Sequence, residues 1–504
     1  MISQTRPASV RVGVGPLSPE DVVAVTRHGA PVVLTPDAEA AIVKARGVVE
    51  ELAAASTPAY GISTGFGALA TRHIPVPMRA QLQKSLVRSH AAGSGPVVEA
   101  EVVRALMLLR LSTLATGHTG VRLETAQTLA ALLNHGVTPV VHEYGSLGCS
   151  GDLAPLAHCA LVLMGEGVVV DVDGVRRPAA AALSEAGITP VELEAKEGLA
   201  LINGTDGMLG MLVLAINDLR RLLQVADLAA AMSVEGLLAT DRVFGADLQE
   251  LRPHPGQALS AANLRALLAD SGVVASHRGP DCNRVQDAYS LRCSPQVLGA
   301  ARDTVEFAAT VAGRELASAI DNPVVLDDGR VESNGNFHGA PVAYALDFLA
   351  IPIADVASMS ERRTDRFLDT SRSAGLPPFL AHDPGVDSGH MIAQYTQAAI
   401  VSELKRNANP ASVDSIPSSA MQEDHVSMGW SSARKLRRSI DGLTRVLAIE
   451  ILTAARGLDL RAPLTPSPAT AAVIARLRKN VPGPGPDRHL APDIEAAVDL
   501  VASG

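Results

Sequence analysis

Three consecutive residues, Cys149-Ser150-Gly151, have the clearest chemical potential in the chain, and they lie in the glycine-rich segment Glu143–Pro155. Because glycine has no Cβ, the backbone nitrogen of Gly151 can approach the carbonyl carbon of Cys149 more closely than that of any other residue type. If this ring closes and Ser150 loses its hydroxyl as water, the product is a methylidene-imidazolone. That group is an electrophile that requires neither a metal nor an added cofactor. The simpler alternative is a turn followed by a helix that begins at Asp152, with a proline in its first turn.

A second glycine-rich segment, Gly61–Gly67, contains the pattern G-x-S-x-G that is found in hydrolase nucleophile elbows. Such an elbow needs a strand before the serine and a helix after it, whereas here an alanine-rich helical run and Pro58 come first. The segment is not a dinucleotide-binding fingerprint either, because no βαβ unit is predicted around it. We therefore interpret it as a glycine-rich loop.

The composition limits the classes of protein that can carry these residues. The chain has 504 residues, of which 47% are apolar but only 3% aromatic, so its core must rest on Ala, Leu and Val, which favours packed helices. The formal net charge of −10 disfavours a nucleic-acid or anionic-membrane partner. Its four cysteines form no C-x-x-C pair and no H-E-x-x-H motif occurs, so no metal site is predicted. With no apolar signal segment near the N-terminus, we expect a cytoplasmic protein.

Helix signals dominate the chain, and they predict a mainly α fold in three parts. We expect a mixed, mostly helical N-terminal domain over 1–200 that carries the Cys149–Gly151 loop, a helical bundle over 201–480, and a Pro/Gly linker with a final helix over 481–504. Strand signals are few, with short hairpins near 168–174 and 324–329, and no βαβ alternation is evident. The predicted helical runs cover about 39–55, 78–92, 97–116, 122–135, 153–165, 205–235, 295–320, 338–364, 388–408, 431–457 and 492–502.

Seven blocks of residues together resemble the aromatic amino-acid lyase family, and they follow that family's order from about residue 50 to about residue 495. One block alone would be weak evidence, but seven in order are specific. The blocks are Tyr60–Gly67, Ser89–Gly93, Gly145–Pro155, Asn203–Thr205, Gln286–Cys293, Ser333–His338 and Gln422–Met428.

The resemblance implies an aspartase/fumarase-like helical bundle and a homotetramer whose active sites take residues from more than one subunit. It implies the elimination of ammonia from L-histidine to give trans-urocanate. The electrophile would be 4-methylidene-imidazole-5-one (MIO), made from Cys149, Ser150 and Gly151 through a Cys149–Gly151 cross-link and dehydration of Ser150. No external cofactor and no metal would be needed.

The resemblance also assigns roles to residues around the reacting atoms. Tyr60 matches the base that takes the β-proton, although a free phenol is mostly protonated at neutral pH. Tyr289 would hydrogen-bond near the reacting centre and would share a helix face with Arg292, which would hold the substrate carboxylate in a two-pronged pair. Without the resemblance, Tyr60 would be interpreted as a loop aromatic and Arg292 as a surface residue.

Three further residues would surround the prosthetic ring. Asn203 would donate hydrogen bonds that make the methylidene more electron-poor, and Gln286 would join that polar shell. Phe337 would pack beside the ring. Taken alone, Asn203 predicts a plain turn and Phe337 a core position.

His90 and Glu423 would determine the substrate. Imidazole is polar at both nitrogens, so its pocket needs a polar group at each end, whereas a pocket for phenylalanine would be apolar there. His90 does not separate histidine from tyrosine, because tyrosine-specific relatives also carry His at that position. Glu423 is more selective, since relatives that act on phenylalanine or tyrosine usually have a neutral residue in that block. The alternative is a tyrosine or phenylalanine ammonia-lyase or aminomutase with the same prosthetic group.

Three positions depart from the family's usual pattern. Cys149 stands where alanine is usual, but its thiol stays outside the new ring, so ring closure is still expected. A thiol beside an electrophile is sensitive to oxidation. Ser63 stands where asparagine is common, and Ala340 replaces a frequent acid.

Overall fold

The computed structural model describes residues 8–55, 58–171, 174–279 and 285–503. Within these ranges most residues are helical, so the predicted mainly α fold is confirmed. The α-helices of the first half are α1 Pro19–His28, α2 Pro36–Ala54, α3 Arg79–His90, α4 Ala100–Ala115, α5 Leu123–Asn134, α6 Leu153–Leu163, α7 Ala179–Glu185, α8 Glu197–Ala200, α9 Asp206–Gly236 and α10 Ala246–Glu250. Those that follow are α11 Pro255–Leu267, α12 Gly272–Ala275, α13 Tyr289–Arg292, α14 Ser294–Leu316, α15 Ala340–Leu368, α16 Met391–Asn407, α17 Gly429–Asp459, α18 Pro468–Leu477 and α19 Ala491–Ser503.

The β-strands are short and form small separate sheets. They are β1 Val10–Val12, β2 Val32–Leu34, β3 Ser94–Val97, β4 Thr138–Pro139, β5 His142–Tyr144, β6 Val168–Val170, β7 Arg176–Pro178, β8 Val324–Val325 and β9 Val331–Glu332. Strands β6 and β7 pair antiparallel, as do β8 and β9, which confirms both predicted hairpins, although residues 172 and 173 lie outside the described ranges. β4 pairs with β6, and β3 pairs with β5 across an irregular register.

One expectation about the strands was wrong. β1 and β2 pair in parallel, with Val10 opposite Val32, and α1 connects them, so residues 10–34 form a βαβ unit. The α1 connection begins with a capping box in which the Ser18 hydroxyl accepts from the Asp21 N–H and the Asp21 carboxylate accepts from the Ser18 N–H. A two-strand sheet of this length does not make a doubly wound fold, so the mainly α assignment stands.

The chain divides into two compact units. Unit 1 comprises Met1–Leu214, Ala309–Leu346 and Pro410–Arg434, and unit 2 comprises Ala215–Ala308, Asp347–Asn409 and Lys435–Gly504. The boundaries anticipated from the sequence, after residues 200 and 480, remain predictions.

Helix α4 is the centre of unit 1. Every residue from Ala105 to Ala115 is buried, and a helix that is apolar on all sides belongs inside a core. Arg110 is the exception, because it is charged and yet only 2% exposed. A buried guanidinium must be paired, and its partners belong to the site described below.

Unit 2 contains its own buried ion pair. Arg363 on α15 and Glu450 on α17 are both fully buried, and Arg363 Nε lies 2.5 Å from Glu450 Oε1. The Ser233 hydroxyl donates to the same carboxylate oxygen at 2.7 Å. These contacts satisfy charges that would otherwise be costly inside a core.

Among the described residues, α15 is the one helix long and apolar enough to cross a membrane by length and composition. Its most apolar 18-residue window has a mean hydropathy of 1.6 and is 61% buried within the protein. A buried core helix meets the same criterion, so this one helix is weak evidence for a membrane span.

Candidate active site

The loop between β5 and α6 carries Cys149, Ser150 and Gly151, and two of the three have a left-handed backbone. Ser150 has φ +50° and Gly151 has φ +79°, both in the left-handed region that favours glycine. Gly151 forms a parallel bridge with Gly204, and a Cβ at position 151 would lie 1.9 Å from the Gly204 carbonyl oxygen. No residue other than glycine fits there, so the close contact with Gly204 requires glycine at position 151.

Distant parts of unit 1 hold the other end of this loop. The carbonyl oxygen of Gly148 accepts from the Ser427 hydroxyl at 2.8 Å and from the Gly339 N–H at 3.1 Å. The Met428 N–H donates to the Leu147 carbonyl at 2.8 Å. A Cβ on Gly148 would lie 2.1 Å from Ser427 Oγ. The loop is therefore fixed by residues that are far away in sequence.

Asp152 anchors the loop to the start of α9. The helix predicted to begin at Asp152 begins one residue later, at Leu153, with Asp152 at the N-cap position. The Asp152 side chain makes no capping hydrogen bond to this helix. Instead its carboxylate accepts from the Ser146 hydroxyl at 2.8 Å and from the N–H groups of Gly207 and Met208 at 2.9 Å each. The pKa of this carboxyl is raised to about 7. Burial is the main cause, the charge of Asp206 acts in the same direction, and the hydrogen bonds oppose both.

The Arg110 side chain braces the backbone of the Asn203–Gly204 segment. Its guanidinium donates to the carbonyl oxygens of Asn203, Ala200 and Ile320 and lies 3.2 Å from the Asp206 carboxylate. Asn203 itself is 3% exposed, and its side-chain amide donates to the Asn322 carbonyl at 2.9 Å. The Asn-Gly-Thr segment is thus a buried, braced element and not a surface turn. The sequence analysis did not identify Arg110 as a support of this segment, although a single arginine within an apolar helix could have indicated such a role.

A cavity of about 670 Å³ opens above the loop in unit 1, and five of the predicted site residues line it. These are Tyr60, His90, Ser150, Asn203 and Glu423. Apolar side chains of the Gly61–Gly67 loop and of α3, including Phe66 and Leu86, make up much of the remaining wall. The cavity therefore combines a few polar groups with an apolar lining, which is typical of small-molecule sites.

The Glu423 carboxylate contacts two side chains of the triad. Its Oε2 atom accepts from the Cys149 thiol at 3.2 Å and from the Ser418 hydroxyl at 3.1 Å, and its Oε1 atom lies 3.5 Å from Ser150 Oγ. Burial raises the pKa of Cys149 to about 12, and the charge of Glu423 adds to the shift. The thiol is therefore protonated at neutral pH and acts as a donor.

His90 ends α3 at the wall of the same cavity. Its Nδ1 atom lies 2.9 Å from the Leu86 carbonyl oxygen and 3.1 Å from the Ser89 hydroxyl. Burial lowers the pKa of His90 below its usual value, and the nearby charge of Glu423 only partly offsets this. The neutral ring is therefore favoured at pH 7, with Nδ1 donating to the carbonyl and Nε2 left as an acceptor.

The loop that carries Tyr60 is stabilised by its own small residues. The Tyr60 hydroxyl accepts from the Gly67 N–H at 3.2 Å. Gly61 has φ +70°, and a Cβ added there would lie 2.6 Å from the side chain of Leu199. Ser63, which departs from the family's usual asparagine, is fully buried and accepts from the Ala59 N–H at 2.9 Å. The interpretation of this segment as a glycine-rich loop is confirmed.

The remaining predicted site residues do not line this cavity. Gln286, Tyr289 and Arg292 belong to unit 2. Tyr289 and Arg292 share a face of α13 as expected, with the guanidinium carbon 4.6 Å from the centre of the tyrosine ring, and Tyr289 is 70% exposed. Phe337 is half-buried in unit 1, outside the residues that form the cavity wall.

The described residues contain no group of three or more His, Cys, Asp or Glu that could hold a metal ion. Their three cysteines, Cys149, Cys159 and Cys293, are all free thiols, and Cys282 lies outside the described ranges.

Comparison with known proteins gives consistent results. The chain is 66% identical over 497 residues to histidine ammonia-lyase from Streptomyces avermitilis, covering 98% of this chain and 97% of the relative, and 65% identical over 499 residues to that from Streptomyces griseus, with the same coverage. Its fold matches histidine ammonia-lyase from Trypanosoma cruzi (TM-score 0.90, 40% identity, 98% and 94% of the two chains) and tyrosine aminomutase from Streptomyces globisporus (TM-score 0.93, 40% identity, 98% and 97%). The family model for aromatic amino acid lyases matches residues 17–479, and this chain therefore belongs to the aromatic amino acid lyase family.

Proposed function

We propose that the protein removes ammonia from L-histidine without oxidation and releases trans-urocanate, a step of histidine degradation. The observation that carries the proposal is that Glu423, the residue expected to select imidazole, lies beside Ser150 in one cavity with His90. The names of the Streptomyces relatives, at 65–66% identity over nearly the whole chain, support the same substrate.

The proposed prosthetic group is MIO, formed from Cys149, Ser150 and Gly151 with no external cofactor. The left-handed backbone at Ser150 and Gly151 and the contact with Gly204 fit a ring closed through the Gly151 nitrogen. When formed, this group supplies an electron sink that makes ammonia a better leaving group. Asn203, whose backbone is braced by Arg110, would stand beside it as a polar neighbour.

Tyr60 is the proposed base for the β-proton of the substrate. Tyr60 lines the cavity, and its hydroxyl accepts from the Gly67 N–H at 3.2 Å, which helps to fix the position of the phenol oxygen. The largely apolar wall limits the water that could compete for the proton.

His90 and Glu423 are the proposed selectors of imidazole. A carboxylate oxygen of Glu423 accepts the N–H of the substrate ring, whereas a phenyl ring offers no donor and would leave that oxygen without this hydrogen bond, at a cost of about 1–3 kcal/mol. This favours histidine over the alternative, a tyrosine or phenylalanine ammonia-lyase or aminomutase that uses the same group. The structural match to a tyrosine aminomutase reflects the common fold.

We further propose a homotetramer in which a second copy completes each site, and a cytoplasmic location. Gln286, Tyr289 and Arg292 are absent from the wall of the cavity around Ser150, which supports a contribution from another subunit. Light scattering coupled to gel filtration measures the mass of the assembly, and a monomer that is fully active would exclude this arrangement.

The decisive experiment is a spectrophotometric assay for urocanate with L-histidine, run beside Ser150→Ala and with intact-mass measurement of both proteins. We expect urocanate from the wild type, none from the variant, and a wild-type mass lower than the encoded mass by two waters. No urocanate together with this mass loss would mean a working electrophile and another substrate, and tyrosine would be tested next. No urocanate and no mass loss would mean that the chain keeps the fold without the chemistry.

A further inference from the structure

The hydrogen bonds to the Glu423 carboxylate are divided unequally between its two oxygens. Oε2 accepts from two groups, the Cys149 thiol at 3.2 Å and the Ser418 hydroxyl at 3.1 Å. Among the residues that the structure describes, Oε1 has one donor within reach, Ser150 Oγ at 3.5 Å. Ser150 is also the residue whose hydroxyl is lost when the proposed ring matures.

We propose that Ser418 and Cys149 are positioning residues that fix Oε2 of Glu423, and that maturation of Ser150 releases Oε1 to accept the substrate's ring N–H. This inference rests on the proposed function and deepens it.

The release of Oε1 follows from the atoms that are lost when the ring forms. The Gly151 nitrogen bonds to the Cys149 carbonyl carbon, and that oxygen leaves as water with the N–H protons of Ser150 and Gly151. A second water carries away the Ser150 hydroxyl with the Cα proton, which leaves a methylidene. The donor at 3.5 Å from Oε1 therefore disappears, whereas neither donor to Oε2 takes part in the reaction.

Ser418 is held in place independently of its hydroxyl. Its N–H donates to the Glu423 carbonyl at 2.8 Å, and the Glu423 N–H donates back to the Ser418 carbonyl at 3.3 Å. Between them Ser419, Ala420 and Met421 all have positive φ, at 50°, 53° and 69°. Three non-glycine residues in this conformation are strained, and such strain is typical of functional sites. The strained turn brings the Ser418 hydroxyl back onto the carboxylate.

Cys149 is suited to the second position because its thiol stays protonated. Burial and the charge of Glu423 raise its pKa to about 12, so at neutral pH it donates to the carboxylate and does not repel it. The family's usual alanine has no such donor. In this chain the carboxylate is therefore held from two sides, by the triad itself and by the strained turn.

The test is the kinetics of Ser418→Ala with L-histidine, beside Ser418→Thr, which keeps the hydroxyl. A hydrogen bond to a charged group is lost, so we expect KM to rise about tenfold or more, with kcat within about twofold. The mass should stay two waters below the encoded mass, and discrimination against L-phenylalanine should fall. Ser418→Thr should restore KM to near the wild-type value.

A matched control is Ser415→Ala. The Ser415 hydroxyl accepts from the Val426 N–H at 2.9 Å and so supports the same segment without touching Glu423. We expect its KM to stay near that of the wild type. Cys149→Ala should raise KM in the same direction as Ser418→Ala.

The outcomes separate this inference from the proposed function. If the wild type makes urocanate but Ser418→Ala keeps its KM, or Ser415→Ala raises KM equally, then Ser418 does not position Glu423 and the inference is wrong. If the wild type makes no urocanate from L-histidine, the proposed function fails and the inference falls with it.

Discussion

Replacing Gly151 with alanine should prevent ring formation through the close contact at Gly204. Two penalties apply to this variant. Its φ of +79° costs an L-residue about 1–2 kcal/mol, and the new Cβ would lie 1.9 Å from the Gly204 carbonyl oxygen. That oxygen cannot turn away freely, because it also accepts the Asp152 N–H at 2.7 Å. The loop must shift instead, at a further cost of about 1–3 kcal/mol, and the shift carries the Gly151 nitrogen away from the Cys149 carbonyl carbon.

Gly329→Ala is the matched control. Gly329 lies in the turn between β8 and β9, has φ +84°, and has no atom within 4 Å of an added Cβ. It should therefore incur the backbone penalty alone. Urea unfolding should show Gly151→Ala to be less stable than this control by about 1–3 kcal/mol. Intact mass should show two waters lost from the control and none from Gly151→Ala, which should also make no urocanate. Equal stabilities, or a Gly151→Ala protein lighter by two waters, would refute the reasoning.

Three further predictions concern charge. Lys196→Met leaves the buried Asp321 without its partner at 2.5 Å and should cost about 3–5 kcal/mol, whereas Arg330→Met, which breaks only exposed pairs, should cost much less. Equal losses in urea unfolding would contradict this. Burial lowers the pKa of His390 to about 3, so the unfolded chain binds the proton first and stability falls as the pH drops below about 6.5. At pH 5 the free energy of unfolding of the wild type should have fallen by about 2 kcal/mol through this group. His390→Gln should not show that part of the fall, and an identical fall in both proteins would contradict the prediction. Glu423→Gln should lower kcat/KM for L-histidine by about tenfold to a hundredfold and reduce the preference over L-phenylalanine, and an unchanged preference would show that Glu423 does not select the ring.

The helices were the most predictable part of the fold, because their signals are local. Ser18 and Asp21 form the capping box that their types and spacing indicate, and the long run predicted over 431–457 is observed at Gly429–Asp459. The parallel pairing of Val10 with Val32 could not be anticipated in the same way. Each strand has only three residues, too few for a period of two to be distinguished from chance.

In the site, residue types were predictable but their supports were not. Tyr60, His90 and Glu423 were found through their motifs, and the cavity brings them together. The brace from Arg110 depends on carbonyl groups about 90 residues away in the chain. Ser418 owes its position to a turn of non-glycine residues with positive φ, a conformation that no residue type in that segment indicates.

The two hydrogen bonds to the Gly148 carbonyl bear on when the triad can react during the synthesis of each chain. That carbonyl is bonded by Ser427, which is synthesised 279 residues later, and by Gly339. A nascent chain that has not yet reached Ser427 lacks the hydrogen bond from Ser427 to this loop. If the proposed ring forms, its closure should therefore follow synthesis and folding of unit 1, and a mass lower by two waters would show that a chain has once folded. In pulse-labelled protein sampled over time, the fraction of chains that have lost two waters would therefore report how much of the labelled protein has folded.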